Sequence, residues 1–164
     1  MGYDAFLQAL QDTAFATEIR ESELLFPWIE CLHVVAITLV VGTISIVDLR
    51  LLGFASMDRS AGQLARRLLP WTWGAFVCAA ITGGLLFAAN AMTYGHNDFF
   101  LRKMVMLAFA GLNMAAFHAF TGRDIDTWGP GAVPPAGARI AGGLSLTIWI
   151  VVVGFGRWIG FTLK

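Results

Sequence analysis

Residues 24–49 read LLFPWIECLHVVAITLVVGTISIVDL, twenty-six positions that hold a single Glu, a single His and a penultimate Asp among mostly apolar side chains. A helix of about 20 apolar residues is what a bilayer requires. Three more such stretches follow. No Lys, Arg, Asp or Glu occurs from Leu68 to Gly95, the run Phe99–Thr121 is uncharged after Lys103, and Ile140–Leu163 is interrupted only by Arg157. The expected spans are about 24–50, 68–93, 99–121 and 140–163, which together make residues 22–164 an all-α, integral membrane four-helix bundle.

Composition agrees. Of the 164 residues 57% are hydrophobic and 13% charged, too few ionised groups to cover the surface of a soluble domain. That excludes a soluble enzyme, a disordered regulator and a nucleic-acid binder; the formal net charge is zero and no basic tail offers a nucleic-acid surface. The expected partner is the lipid bilayer. Cys31 and Cys78 form neither a disulfide framework nor a Cys-x-x-Cys zinc pattern.

Residues 1–21 lack the basic start and continuous apolar core of a signal peptide. Tyr3, Phe6, Leu7, Leu10 and Ala14 fall at helical spacing, with Asp4, Gln8, Gln11 and Asp12 opposite. This predicts an N-terminal amphipathic surface helix, lying on the membrane or on the bundle. The 1–2 loop holds Arg50, Arg59, Arg66 and Arg67, and the Gly- and Pro-rich 3–4 loop holds Arg123 and Arg139. Both loops therefore belong on the cytoplasmic side of a bacterial inner membrane, with both termini outside. Ala79 and Gly83, Ala80 and Gly84, and Gly156 and Gly160 are each four apart, as at close helix–helix contacts, and point to a homo-oligomer or a subunit of a membrane complex.

Ionisable side chains in hydrocarbon are expensive, and each is a candidate for function. At 1.5 Å per residue, His33 lies roughly 14 Å from the outer end of its span, Glu30 roughly 9 Å, Lys103 roughly 6 Å and Arg157 roughly 10 Å. Glu30, His33, Lys103 and Arg157 are thus expected in one layer, as a cofactor site in the outer half. His118 lies roughly 29 Å deep, near Ser45 and Asp48, and its expected role is a structural hydrogen bond to one of them. Roughly 15 Å between His33 and His118 is too far for one haem to be clamped by both. His96 or Lys103 is the better second ligand, so the candidate metal ligands are His33, His96 and His118, with His33 first. Asp48 and Arg50 are expected to pair with each other or with loop arginines. Cys31 with Met92 and Met104 gives a weaker case for copper.

Helix 1, CLHVVAITLVVGTISIVDLRLLG, and the start of helix 3, LRKMVMLAFAGLN, carry a Leu-His-x-x-Ala, a Gly nine residues after the His, an inner-end Arg and a helix-opening Lys. This set resembles the superfamily of small bacterial four-helix membrane proteins that includes the bacterial protoporphyrinogen oxidases and the membrane domain of the copper-resistance D proteins. Over its whole length the chain is more similar to uncharacterised members that share the His-x-x-Ala and Asp-Leu-Arg helix. The resemblance implies a haem b site at His33 and Lys103. Glu30, Arg157 and the stretch TISIVDLRLLG depart from the oxidase pattern, which weakens the case for the porphyrinogen reaction more than for the cofactor. The expected function is a haem-b-binding membrane protein with a redox or electron-transfer role, a membrane oxidoreductase in its enzymatic form, with a quinone or protein redox partner. In it His33 is the axial ligand, Lys103 and Arg157 meet the propionates, and Glu30 orients or proton-couples the site. The alternative is a non-redox oligomeric scaffold, or a copper or small-molecule transport component, with the same residues as an internal polar network.

Overall fold

The computed structural model describes residues 2–162, in which helices are the only regular elements. Two short helices, α1 (Tyr3–Gln11) and α2 (Ala14–Glu21), precede the long α3 (Leu25–Leu52) and α4 (Ala61–Ala89). A single turn, α5 (Ala91–Gly95), leads to α6 (Asp98–Ala116), which continues through a π-helical turn (Phe117–Thr121) and a 3-10 segment (Gly122–Thr127). The last helix, α7, runs from Ala136 to Thr162. Four helices are long and apolar enough to cross a membrane: α3, α4, residues 98–127 and α7.

Capping explains the bounds that hydropathy missed. The second span begins at Ala61 rather than near 68 because the Ser60 hydroxyl accepts from the Gln63 N–H, so a helical turn carrying Arg66 and Arg67 precedes the apolar run. α6 starts after Asn97, whose side chain accepts from the N–H groups of Phe99 and Phe100. α3 ends at Gly53, which takes the left-handed conformation (φ 83°) that glycine adopts without a Cβ penalty. The N-terminal segment is two helices rather than one: Asp12 closes α1, and the Thr13 hydroxyl caps α2 by accepting from the Ala16 N–H. Their apolar residues Leu7, Ala16 and Ile19 are buried. Arg20 donates to the Ala89 carbonyl, Tyr3 to the Gly95 carbonyl, and the Met92 N–H to Gln11. The pair therefore plugs the end of the bundle where both termini lie.

Packing among the long helices runs in one order, with α4 on α3, α3 on α7 and α7 on α6. Among the described residues α4 and α6 meet at a Phe87–Phe100 ring stack, 5.1 Å between centroids, without an extended interface that would close the ring. Two threonine ties fix the antiparallel α3–α4 pair. His33 meets Thr82 at 2.9 Å and Thr43 meets Thr72 at 2.8 Å, ten residues apart on each helix and so in one register. Such bonds between membrane helices contribute about 0.6 kcal/mol on average. At the α3–α7 crossing, a methyl group on Gly142 would lie 3.0 Å from the Asp48 carbonyl oxygen and 3.1 Å from the Leu51 Cβ, so any larger residue would push the two helices apart by a few tenths of an ångström. On α6, Asn113 donates to the Ala141 carbonyl of α7. The outward faces, among them Trp28, Val34, Leu39, Trp71, Ile81, Leu112 and Ile150, are exposed in the isolated chain, as lipid-facing positions are.

Opposite the plugged end, Arg50 holds the two long connections together. Its side chain is 0% exposed and donates to the carbonyls of Arg59, Ala132 and Gly129. The expected Asp48–Arg50 pair does not form, because residues two apart on a helix point to opposite sides. Beside this clasp, Arg66 of α4 pairs with Asp126 of the 3-10 segment, and Gly62 lacks the Cβ that would collide with the Asp126 carboxylate. Arg50→Met should destabilise the protein by about 3–5 kcal/mol, because three carbonyls lose a charged donor at once. Reversible unfolding in mixed micelles would measure this, and a loss under about 1 kcal/mol would contradict the clasp.

Candidate functional site

The expected site residues do not all come together. His33, half-buried on α3, turns its Cε1 toward α4: a Cβ on Gly83 would sit 2.8 Å from that atom. The Thr82 hydroxyl gives its own proton to the Cys78 carbonyl at 2.7 Å, so its oxygen accepts from His33 Nδ1–H. The Ala79 carbonyl, also an acceptor only, adjoins the same imidazole. This network assigns the proton to Nδ1 and leaves a lone pair on Nε2, which has no hydrogen-bond partner among the described residues.

Lys103 of α6 is close enough to act electrostatically on His33, and its Nζ lies 3.9 Å from where a Gly156 Cβ would be. It has no ion pair among the described residues. Arg157 is exposed, with its guanidinium 4.7 Å from the centre of the Phe161 ring, the posture of an interfacial anchor. Glu30 is exposed as well and neighbours Tyr94, whose phenol burial first, and Glu30 second, push above the ordinary tyrosine value. The structure thus sets Lys103 beside Gly156 of α7, within electrostatic range of His33, and leaves Arg157 and Glu30 exposed.

The other two histidines stand apart. His96 uses both ring nitrogens: Nδ1 bonds the Met92 carbonyl at 2.9 Å and Nε2 meets Asp4 of α1 at 3.1 Å, with Tyr3 edge-on to the ring. It docks α1 on the α5 turn. His118 donates from Nδ1 to the Met114 carbonyl of its own helix, rather than to Asp48 or Ser45, and is exposed at a cleft between α4 and α6. Among the described residues, no three His, Cys, Asp or Glu side chains form a metal-binding group, and Cys31 and Cys78 are free thiols.

The cleft itself had no counterpart in the sequence reading. It encloses about 310 Å³ and takes walls from all four long helices, including Asp48, Thr72, Asn113, Ser145 and Trp149. Asp48 is 3% exposed, and its Oδ2 has no hydrogen-bond partner among the described residues. The available signal was helical geometry: with Arg50 directed to the loops, Asp48 had to face the other way.

Together these features define a polytopic helical membrane protein with two intramembrane polar centres, a His–Lys corner near the termini and a carboxylate cleft near the arginine-rich loops. The chain belongs to DUF6644, a family of unknown function whose pattern matches residues 22–162. Neither a curated protein nor a solved structure matches it.

The α1 docking contact depends on pH. The Met92 carbonyl, and then Asp4, hold the His96 pKa above its ordinary value. For a raised folded-state pKa the contribution is complete below the unfolded value, about 6.5, and is lost as pH rises through the folded one. Amide hydrogen exchange in α1, corrected for intrinsic rates, should therefore quicken above that range in the wild type and not in His96→Gln. The same pH response in both proteins would remove His96 from the docking contact.

Proposed function

We propose that the protein binds haem b at the His33–Lys103 corner and has a redox or electron-transfer role in a bacterial inner membrane. The observation that carries this reading is the state of His33, with Nδ1–H held by Thr82 and Nε2 unpartnered. An axial histidine needs that tautomer, with the second nitrogen anchored so that the ring keeps its orientation. The donor chemistry fits: a neutral imidazole offers a lone pair, and an unpaired ammonium nearby would meet a propionate. Haem b, when bound, would supply a one-electron couple. Thr82 would orient the ligand, Gly83 would leave room for the ring, and Lys103 would neutralise anionic charge. Arg157, stacked on Phe161, would reach a propionate only by leaving that ring, so Lys103 is the chief cation of the reading.

The arginine-rich loops favour the cytoplasmic side for the clasp end and the outside for both termini. Gly84 and Gly160 have open space where a Cβ would stand, which suits a second copy packing against those faces. A second reading takes His33–Thr82 as a register tie alone; it is favoured by the Thr43–Thr72 pair, which makes the same link without an imidazole.

A reduced-minus-oxidised absorption spectrum of the detergent-purified protein separates the two. The haem reading expects a Soret band that His33→Ala abolishes and Thr82→Val shifts, with haem retention weakened in Lys103→Ala. A colourless preparation from cells supplied with haem precursors, or a spectrum unchanged in His33→Ala, would leave only the structural tie.

A further inference from the structure

The cleft between α4 and α6 holds a buried carboxyl group that the haem reading does not use. Asp48 is one of its lining residues, and its Oδ2 lacks a partner. Ser145 of α7 is the polar side chain facing the carboxyl group. Every positive group nearby is committed elsewhere: Arg50 is spent on three loop carbonyls, and Arg66 pairs with Asp126. His118, the remaining titratable group of the cleft, bonds the Met114 carbonyl. Four aromatic rings line the cleft, Trp73 and Phe76 edge to face at 5.9 Å, with Phe117 and Trp149.

We propose that this cleft binds a lipid-soluble organic cation, which enters from the bilayer between α4 and α6 and pairs with Asp48 between the aromatic walls. The sign follows from the charges present. Asp48 and Asp126 outnumber Arg66, which disfavours an anion, and a cation would supply the counter-charge that the buried Asp48 lacks among the described residues. The aromatic faces attract a cation through their quadrupoles. The route follows from the packing. α4 and α6 meet at the Phe87–Phe100 stack, beyond the cleft, and are not packed together beside it, so the cleft opens sideways to lipid, whereas the Arg66–Asp126 pair and the Arg50 clasp lie across its loop end. A hydrated ion has no sideways path through hydrocarbon, and one carboxylate with a hydroxyl is a poor cage for a bare metal ion. A ring-bearing ammonium or a similar delocalised cation meets both conditions.

The test uses the full chain in lipid nanodiscs and two probes, the cation ethidium and its uncharged ring system phenanthridine. Ethidium should bind saturably by fluorescence anisotropy, with the affinity lowered about tenfold or more in Asp48→Asn. Gly111→Phe, at a cleft position where a Cβ meets open space, should lower it comparably by filling the cleft. Phenanthridine should bind more weakly and be indifferent to Asp48→Asn. The proposal is overturned if the wild type shows no saturable ethidium binding, if either variant binds ethidium as the wild type does, or if Asp48→Asn weakens both probes equally. Should Asp48→Asn fail to fold by circular dichroism and gel filtration, Gly111→Phe decides alone. Asp48 lies roughly 22 Å along α3 from His33, so a haem spectrum and ethidium binding stand or fall separately.

Discussion

Arg50 is fully buried and carries a permanent charge, a combination that costs several kcal/mol unless its N–H groups find acceptors. Three backbone carbonyls from two different connections provide them. In meeting that need, the guanidinium ties the α3–α4 loop to the long segment before α7 and sets where α4 and α7 depart from α3. The same helical turn then dictates the fate of Asp48. With Arg50 turned toward the loops, the carboxyl group two residues earlier faces the bundle interior, where no cation awaits it.

The rest of the architecture follows from α3 as a central helix. It packs on α4 through two threonine ties in one register and on α7 through the Gly142 approach, while α6 packs chiefly on α7 and meets α4 at the Phe87–Phe100 stack. The consequence is a row of four helices folded round so that its two ends meet at the Phe87–Phe100 stack and at the 3-10 segment, with an unpacked stretch between. A closed bundle would have walled Asp48 into a dry core. The open one gives it a cleft instead, and since hydrocarbon solvates a carboxyl group no better than a packed core does, the buried acid there points to a ligand.

Much of this was legible in the sequence, and the exceptions have physical causes. Four spans follow from runs of apolar residues, because a bilayer imposes length and composition directly. The second span begins earlier than its apolar run because Ser60 caps a turn that hydropathy does not see. Depth along a helix placed His33 and Lys103 at similar levels, yet depth says nothing about azimuth. Arg157 and Glu30 share the layer and still point away from its interior. His96 was a candidate ligand by position, whereas its two nitrogens are used in docking α1, a contact between segments remote in sequence. The Asp48 cleft went unread because charges so close in sequence invite pairing, although helix geometry separates them.

The openness of the α4–α6 cleft is the claim on which the account rests, and it can be measured at Gly111, which lines the cleft with open space where its Cβ would be. A nitroxide attached to Gly111→Cys in a Cys31→Ser, Cys78→Ser background, with the protein in liposomes, reports mobility and oxygen accessibility by electron paramagnetic resonance. The account predicts a mobile label with the high oxygen accessibility of a lipid-exposed site. An immobilised label shielded from oxygen would mean that α4 and α6 pack together in the membrane, and that Asp48 sits in a closed core.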